Sequence, residues 1–270
     1  MATTQAVILA RGLGTRMRRS DGAKLAPGQD AAAAAGAKAM MPLARPFLEY
    51  VISALADAGI GEVIVVVAPD HAAIREHFTV TAPPERVVIR FAVQEQPRGT
   101  ADAVFSARDA VRNAPFLVLN ADNHYSAAAL RAAAGIDGNG VVAFEAEALV
   151  RESAFEPERV LRFALLDIAD DDTLRAVQEK PAADAPLARA AERWVSMNLW
   201  SFTPAIFAAC ERVLPSVRGE LELQDAVTIA IRELGLPFRV VRVREGVLDL
   251  SHRSDVAVVT ERLAGVVPRT

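Results

Sequence analysis

The sequence predicts an α/β fold, a three-layer α/β/α sandwich on a mainly parallel mixed sheet. Short continuous apolar runs such as Val7-Ile8-Leu9 and Val63-Ile64-Val65-Val66-Val67 have strand length and no polar face, as parallel strands buried on both sides require. Stretches with helical spacing alternate with these runs, so crossover helices cover both faces of the sheet. From about Glu145 the rhythm changes to closely spaced strands, an antiparallel excursion that makes the sheet mixed.

The first run, Ala6 to Leu9, feeds a loop that carries Gly12, Gly14, Thr15 and Arg16. Neither glycine has a Cβ, so the backbone can turn tightly and approach a ligand, and successive free N–H groups in such a loop form an anion-binding concavity. Arg16 adds a planar, permanently charged fork suited to phosphate oxygens. Met17 stands where a dinucleotide fingerprint needs its third glycine, and Arg18 to Gly22 read as more loop. Gln29 to Ala37 is an alanine-rich insertion before Lys38, either a flap or a short surface helix.

Phe47 to Ala58 has helical spacing and stops before Gly59. Glu62–Ala68 reads as a strand, Asp70–His77 as a short helix with an aspartate cap, and Val87–Val93 as a strand. Gly99 opens a helix of small residues running to Val111. Phe116–Leu119 is a strand, Ser126–Ala134 a helix and Val141–Phe144 a strand. Beyond Glu145, Val160–Ile168 and Leu174–Gln178 read as strands joined by the acidic turn Asp170-Asp171-Asp172, and Trp194–Phe202 as a further strand. Pro204–Val213 and Leu223–Leu234 read as helices, Phe238–Arg244 and Val247–Leu250 as strands, and Asp255–Leu263 as a final helix. One domain over residues 1–270 is expected, without internal repeats.

Bulk properties narrow the function. The 270 residues carry a formal charge of −4, which gives no global attraction to nucleic acid. No apolar run approaches the length of a membrane span and no signal peptide is visible. The single cysteine, Cys210, excludes an internal disulfide, fits a reducing cytoplasm and reads as a buried small residue. Of the four histidines, His71 and His77 read as surface helix residues, and His124 and His252 as solvent-facing neighbours of Asp122 and Asp249.

Gly12-Leu13-Gly14-Thr15-Arg16, followed by Lys38-Ala-Met-Met-Pro-Leu and Arg45-Pro46, resembles the signature of the nucleotide-sugar pyrophosphorylases, the sugar-1-phosphate nucleotidyltransferases. Further segments resemble that family in the same order: Gln94-Glu-Gln-Pro-Arg-Gly-Thr-Ala-Asp-Ala, Leu119-Asn-Ala-Asp-Asn123, Glu179-Lys180-Pro181, Val195-Ser-Met-Asn-Leu-Trp-Ser-Phe202 and Arg218-Gly-Glu-Leu-Glu-Leu-Gln-Asp225. Val247-Leu-Asp249 to Asp255 stands in the place of the last motif, without its Trp, Gly and Thr.

The resemblance implies a Rossmann-like nucleotide-diphospho-sugar transferase fold of GT-A-like type. About 1–145 would form the nucleotide-binding half and about 146–270 the sugar-phosphate half. Leu9, Ala10, Gly12, Gly14, Thr15, Gln94, Gly99 and Thr100 would hold the nucleotide, with Gln94 offering a donor and an acceptor to the base. Asp122 and Asp249 would bind Mg²⁺. Arg16, Lys38 and Lys180 would be the catalytic cations. Glu179, Lys180 and Asn198 would face the sugar phosphate, with Glu220 a further candidate there. Lys24 competes with Lys38 for the catalytic place, and Arg11 replaces the usual small residue in the loop.

The implied partners are an NTP and a sugar 1-phosphate, with no nucleic acid and no membrane. Homo-oligomerisation is left open, as are the nucleobase and the sugar. Two rivals remain at this point: a transferase with another acceptor, such as phosphocholine, and a non-catalytic regulatory subunit.

Overall fold

In the computed structural model, residues 3–153, 155–179, 181–182 and 184–270 are described. The strands are β1 (Gln5–Leu9), β2 (Glu62–Val67), β3 (Val88–Val93), β4 (Phe116–Asn120), β5 (Asn123–His124), β6 (Asn139–Glu145), β7 (Ala164–Ile168), β8 (Leu174–Gln178), β9 (Trp194–Phe202), β10 (Phe238–Val243) and β11 (Leu248–Asp249). The main sheet runs β10-β6-β9-β4-β1-β2-β3, with β7 and β8 attached through β9, while β5 and β11 form a separate antiparallel ribbon. β4-β1-β2-β3 are parallel, and β9 lies antiparallel between β4 and β6.

The apolar strands are buried on both faces, and their side chains divide by alternation. Ile8, Val63, Val65, Leu117, Leu119 and Phe144 enter one core layer. Val7, Ile64, Val66, Phe116, Val118 and Trp200 enter the other. Helices Phe47–Asp57 and Ala127–Ala134 close the first layer, and helices Thr100–Ser106 and Leu223–Arg232 close the second. The mainly parallel three-layer expectation therefore holds.

Local readings are corrected in several places. Thr15–Arg18 is a one-turn helix, anchored by fully buried Met17, where the sequence suggested continuing loop. Helix Ala72–Glu76 begins without an aspartate cap and continues as a π-helix over His77–Thr81. Val160 ends a short helix, Pro157–Val160, so β7 begins only at Ala164. The unforeseen helix Ala146–Ser153 buries Ala148 and Leu149. Interspersed Glu147, Arg151 and Glu152 hide the apolar stripe from a reading by runs.

The alanine-rich insertion is a helix, Pro27–Ala35, with Pro27 in its first turn, where a missing N–H costs nothing. It ends at Gly36, whose φ of 72° lies in the left-handed region. Gly36 packs directly on Gly14: a Cβ on Gly14 would lie 2.4 Å from the Gly36 carbonyl oxygen, and one on Gly36 2.6 Å from that of Leu13. The helix is fastened at a second point, where Asp30 pairs with Arg253 and Arg253 Nε donates to the Met17 carbonyl at 3.1 Å. The insertion thus braces the glycine loop. Gly36→Ala is expected to destabilise the protein by about 1–3 kcal/mol through backbone strain, read by urea unfolding, and a loss under about 0.5 kcal/mol would show that the contact relaxes without penalty.

Candidate active site

β1 continues to its parallel neighbour β2, while β4, its parallel neighbour on the other side, continues toward β6, so the chain leaves the carboxyl ends of β1 and β4 in opposite directions. A crevice forms at such a switch point. There Ala10 N–H donates to Val66 and Ala121 N–H to Leu9, which fixes the two strand exits side by side. Gly14, Thr15 and Arg16 follow the first exit, Asp122 the second.

Lys38 starts a 3-10 turn, Lys38–Met40, directly after the bracing helix. Its Nζ forms an ion pair with Asp122 Oδ2, and each side chain keeps 19% of its surface exposed. Burial pulls the Lys38 pKa down, but the charge and hydrogen bond of Asp122 and the charge of Asp249 more than offset it, so the ammonium is held above its ordinary value, with Arg16 opposing. Arg16, Lys38, Asp122 and Asp249 are therefore electrostatic neighbours. Lys24, the competing lysine, makes no ion pair among the described residues.

Asp249 reaches the crevice on the ribbon, opposite Asn123, whose Nδ2 donates to Asp249 Oδ2 at 2.9 Å. Arg159 Nη2 donates to Asp249 Oδ1 at 2.5 Å, while Arg159 Nη1 meets Asp255 Oδ1 at 2.6 Å. Burial, then the charge of Asp122, pushes the Asp249 carboxyl up to about 6, against the pull of Arg159. Sequence reasoning missed Arg159, which no motif marks, and gave no role to Asn123, the last residue of the Leu119–Asn123 segment. Lys180 lies outside the described residues.

The other proposed nucleotide residues form a second group. Gln94 is 3% exposed, and its amide nitrogen donates to the Gly99 carbonyl at 3.0 Å and to Asp102 Oδ2 at 2.9 Å. Its donor is thus spent inside the protein. Gly99 has a φ of 118°, and a Cβ there would lie 2.5 Å from the Leu221 carbonyl oxygen. Thr100 Oγ1 accepts from the Leu223 N–H at 2.9 Å. This motif therefore clamps its strand-to-helix joint to the Arg218–Asp225 segment, in which Glu220 is exposed. Arg11 bridges the groups, with Nε donating to the Gln94 carbonyl at 3.3 Å.

Asn198 sits at an irregularity of β9 with a φ of 60°, and its Oδ1 accepts from Gln224 Nε2 at 3.3 Å. Asparagine tolerates this left-handed conformation better than most residues other than glycine. Glu179 is exposed just beyond β8.

His77 is no simple surface residue: its Nε2 lies 2.7 Å from Oε1 of Glu49, a glutamate only 2% exposed that Arg45 also meets at 2.8 Å. His124 is partly covered rather than solvent-facing, and burial lowers its pKa to about 4. Cys210 is buried as expected, with its thiol pushed up to about 12 by burial.

His124 predicts acid sensitivity. The unfolded chain takes up a proton near the ordinary histidine pKa of 6.5, whereas the folded residue resists until about 4. Stability from this group is complete above pH 6.5 and lost as pH falls through that window, by up to about 3 kcal/mol. His124→Asn should flatten the pH dependence of urea unfolding between pH 6.5 and 4; an unchanged slope would assign it to other groups.

A glycine loop, an arginine and a lysine–aspartate pair at one switch point are a setting for phosphoryl chemistry. The family model described as nucleotidyl transferase matches residues 5–244. The chain belongs to that family. It is a nucleotidyltransferase, and its relatives agree. It is 28% identical over 265 residues to the UTP--glucose-1-phosphate uridylyltransferase AglF of Haloferax volcanii, covering 96% of each chain. It is 25% identical to the UTP--glucose-1-phosphate uridylyltransferase of Bacillus subtilis, covering 83% of this chain and 78% of the relative. A solved UDP-glucose pyrophosphorylase complexed with UDP-glucose shares the nucleotidyltransferase fold, with a TM-score of 0.73, 16% identity, and coverage of 97% of this chain and 98% of that one. Among the described residues no helix is long and apolar enough to cross a membrane.

Proposed function

We propose that this nucleotidyltransferase moves a uridylyl group from UTP to glucose 1-phosphate, releasing pyrophosphate. The observation that carries the reading is the Lys38–Asp122 pair beside Arg16 at the β1/β4 exits. The two uridylyltransferase relatives support the choice of base and sugar.

A sugar 1-phosphate is an anionic nucleophile already, so attack on the α-phosphorus needs no general base. Catalysis then reduces to positioning and charge neutralisation. The backbone N–H groups around Gly12 and Gly14, with Thr15 and Arg16, would hold the departing pyrophosphate. Lys38 would leave Asp122 for the α-phosphoryl oxygens, a move that a four-carbon stem and partial exposure allow. Lys180 and Glu179 would meet the acceptor. Asp122 suits a hard cation once Lys38 has moved, because its carboxylate is open to the crevice. Asp122 would be the residue that holds Mg²⁺, whose charge would supply screening of phosphate repulsion in the crevice. Gln94 would act on the base through the loop it shapes, since its amide nitrogen is already paired.

The test is pyrophosphate release with Mg²⁺, using each NTP and dTTP against a panel of hexose 1-phosphates, with phosphocholine as control. Release specific to UTP and glucose 1-phosphate is expected. Release with phosphocholine alone, or silence with nucleotide binding intact, would overturn the reading in favour of another acceptor or a regulatory protein.

A further inference from the structure

The two crevice aspartates have different partners. Asp122 faces a lysine on a flexible stem, and both keep 19% exposure. Asp249 is 9% exposed and held by rigid groups: Asn123 Nδ2 on one oxygen at 2.9 Å and Arg159 Nη2 on the other at 2.5 Å. Arg159 is held in turn. Its guanidinium donates to Asp255 at 2.6 and 3.2 Å and lies 4.7 Å over the Phe155 ring. Asp255 also accepts from the backbone N–H groups of Ser251 and His252 at 2.9 and 2.7 Å, which fixes its carboxylate.

A dication on Asp249 would therefore sit against a fixed guanidinium bound to the same carboxylate. Like charges at such separation in a partly dry site repel strongly. We propose that Arg159 takes the place of a metal ion at Asp249, leaving Asp122 as the carboxylate of this pair that a divalent cation shares with the substrate phosphates. The proposal rests on the nucleotidyl-transfer reading. Arg159 is then a positioning residue, which holds Asp249 and Asp255 in place and supplies a permanent charge where a second ligand would otherwise recruit a mobile one. Asn123 completes the arrangement by occupying the remaining oxygen.

The experiment is Mn²⁺ binding to the full chain by electron paramagnetic resonance, in the presence of a non-hydrolysable α,β-methylene analogue of UTP. Asp249→Asn should bind Mn²⁺ within about threefold of the parent, whereas Asp122→Asn should lose at least tenfold. Comparable loss in both variants, or loss in neither, overturns the proposal. Should Asp249→Asn fail to fold, Arg159→Met reads the same point: Asp249 is released beside Asp122, and Mn²⁺ affinity should rise at least fivefold, while Arg159→Lys should restore the parent value. Unchanged affinity in Arg159→Met overturns it. The resonance is read without acceptor, so inactivity on the acceptor panel would sink the functional reading and leave the cation assignment standing.

Discussion

Asp122→Asn should lower kcat/KM by about 10³-fold or more at saturating Mg²⁺. The substitution keeps the shape of the side chain, and an amide oxygen can still accept from Lys38. Backbone ties remain as well, because Leu250 N–H donates to the Asp122 carbonyl and Ala121 N–H to Leu9. What disappears is one negative charge at the point where β1 and β4 separate. Without it Lys38 keeps an acceptor but loses its counter-charge, and a divalent cation loses the open carboxylate of the crevice. The loss should be accompanied by a raised Mg²⁺ requirement, with circular dichroism and urea midpoint showing an intact fold. Activity within tenfold of the parent would remove Asp122 from the reaction.

Lys38→Met should lower kcat by about 10² to 10³-fold while the KM for the nucleotide changes little. Methionine retains most of the apolar stem, in a turn whose following residues Ala39 and Met41 are buried. The lysine is neighbour to two aspartates and one arginine, so its charge is balanced at rest and free to be shared with a phosphoryl group as negative charge redistributes in the transition state. An effect on KM alone would place Lys38 in ground-state binding. Lys24→Met, with no ion pair to lose among the described residues, should retain activity within threefold, and a large loss there would reverse the choice between the two lysines.

Much of the fold was legible locally. β9 runs from Trp194 to Phe202 as its apolar and aromatic residues suggest, and helix Leu223–Arg232 starts where its periodicity does. Such elements declare themselves because long buried segments have a strong period. Short elements did not. The one-turn helices Thr15–Arg18 and Pro157–Val160 contain too few residues for a period, and helix Ala146–Ser153 buries small alanines that read as neutral.

The candidate site divides in the same way. Arg16, Lys38 and Asp122 stand in segments with a family pattern, so each was marked before its partners were known. Arg159 was not marked, since no pattern singles out a lone arginine, and Asn123 closed the Leu119–Asn123 segment without a role of its own. Arg159 meets Asp249 across 90 positions of chain, a meeting no spacing rule reaches. Gln94 shows the opposite case: the motif marks it, but only burial against Gly99 and Asp102 reveals that its donor is already used.

The sequence by itself determined the class of fold, through apolar runs of strand length alternating with helical periods, and the class of chemistry, through a glycine loop with ordered cationic segments. These depend on local pattern, which the chain carries residue by residue. Only the tertiary structure decided that the alanine-rich insertion braces Gly14 through Gly36, that Lys38 meets Asp122, and that Arg159 claims Asp249. Those are pairings between distant segments, set by which faces the sheet and its crossovers bring together, and charge takes its meaning from the partner found there.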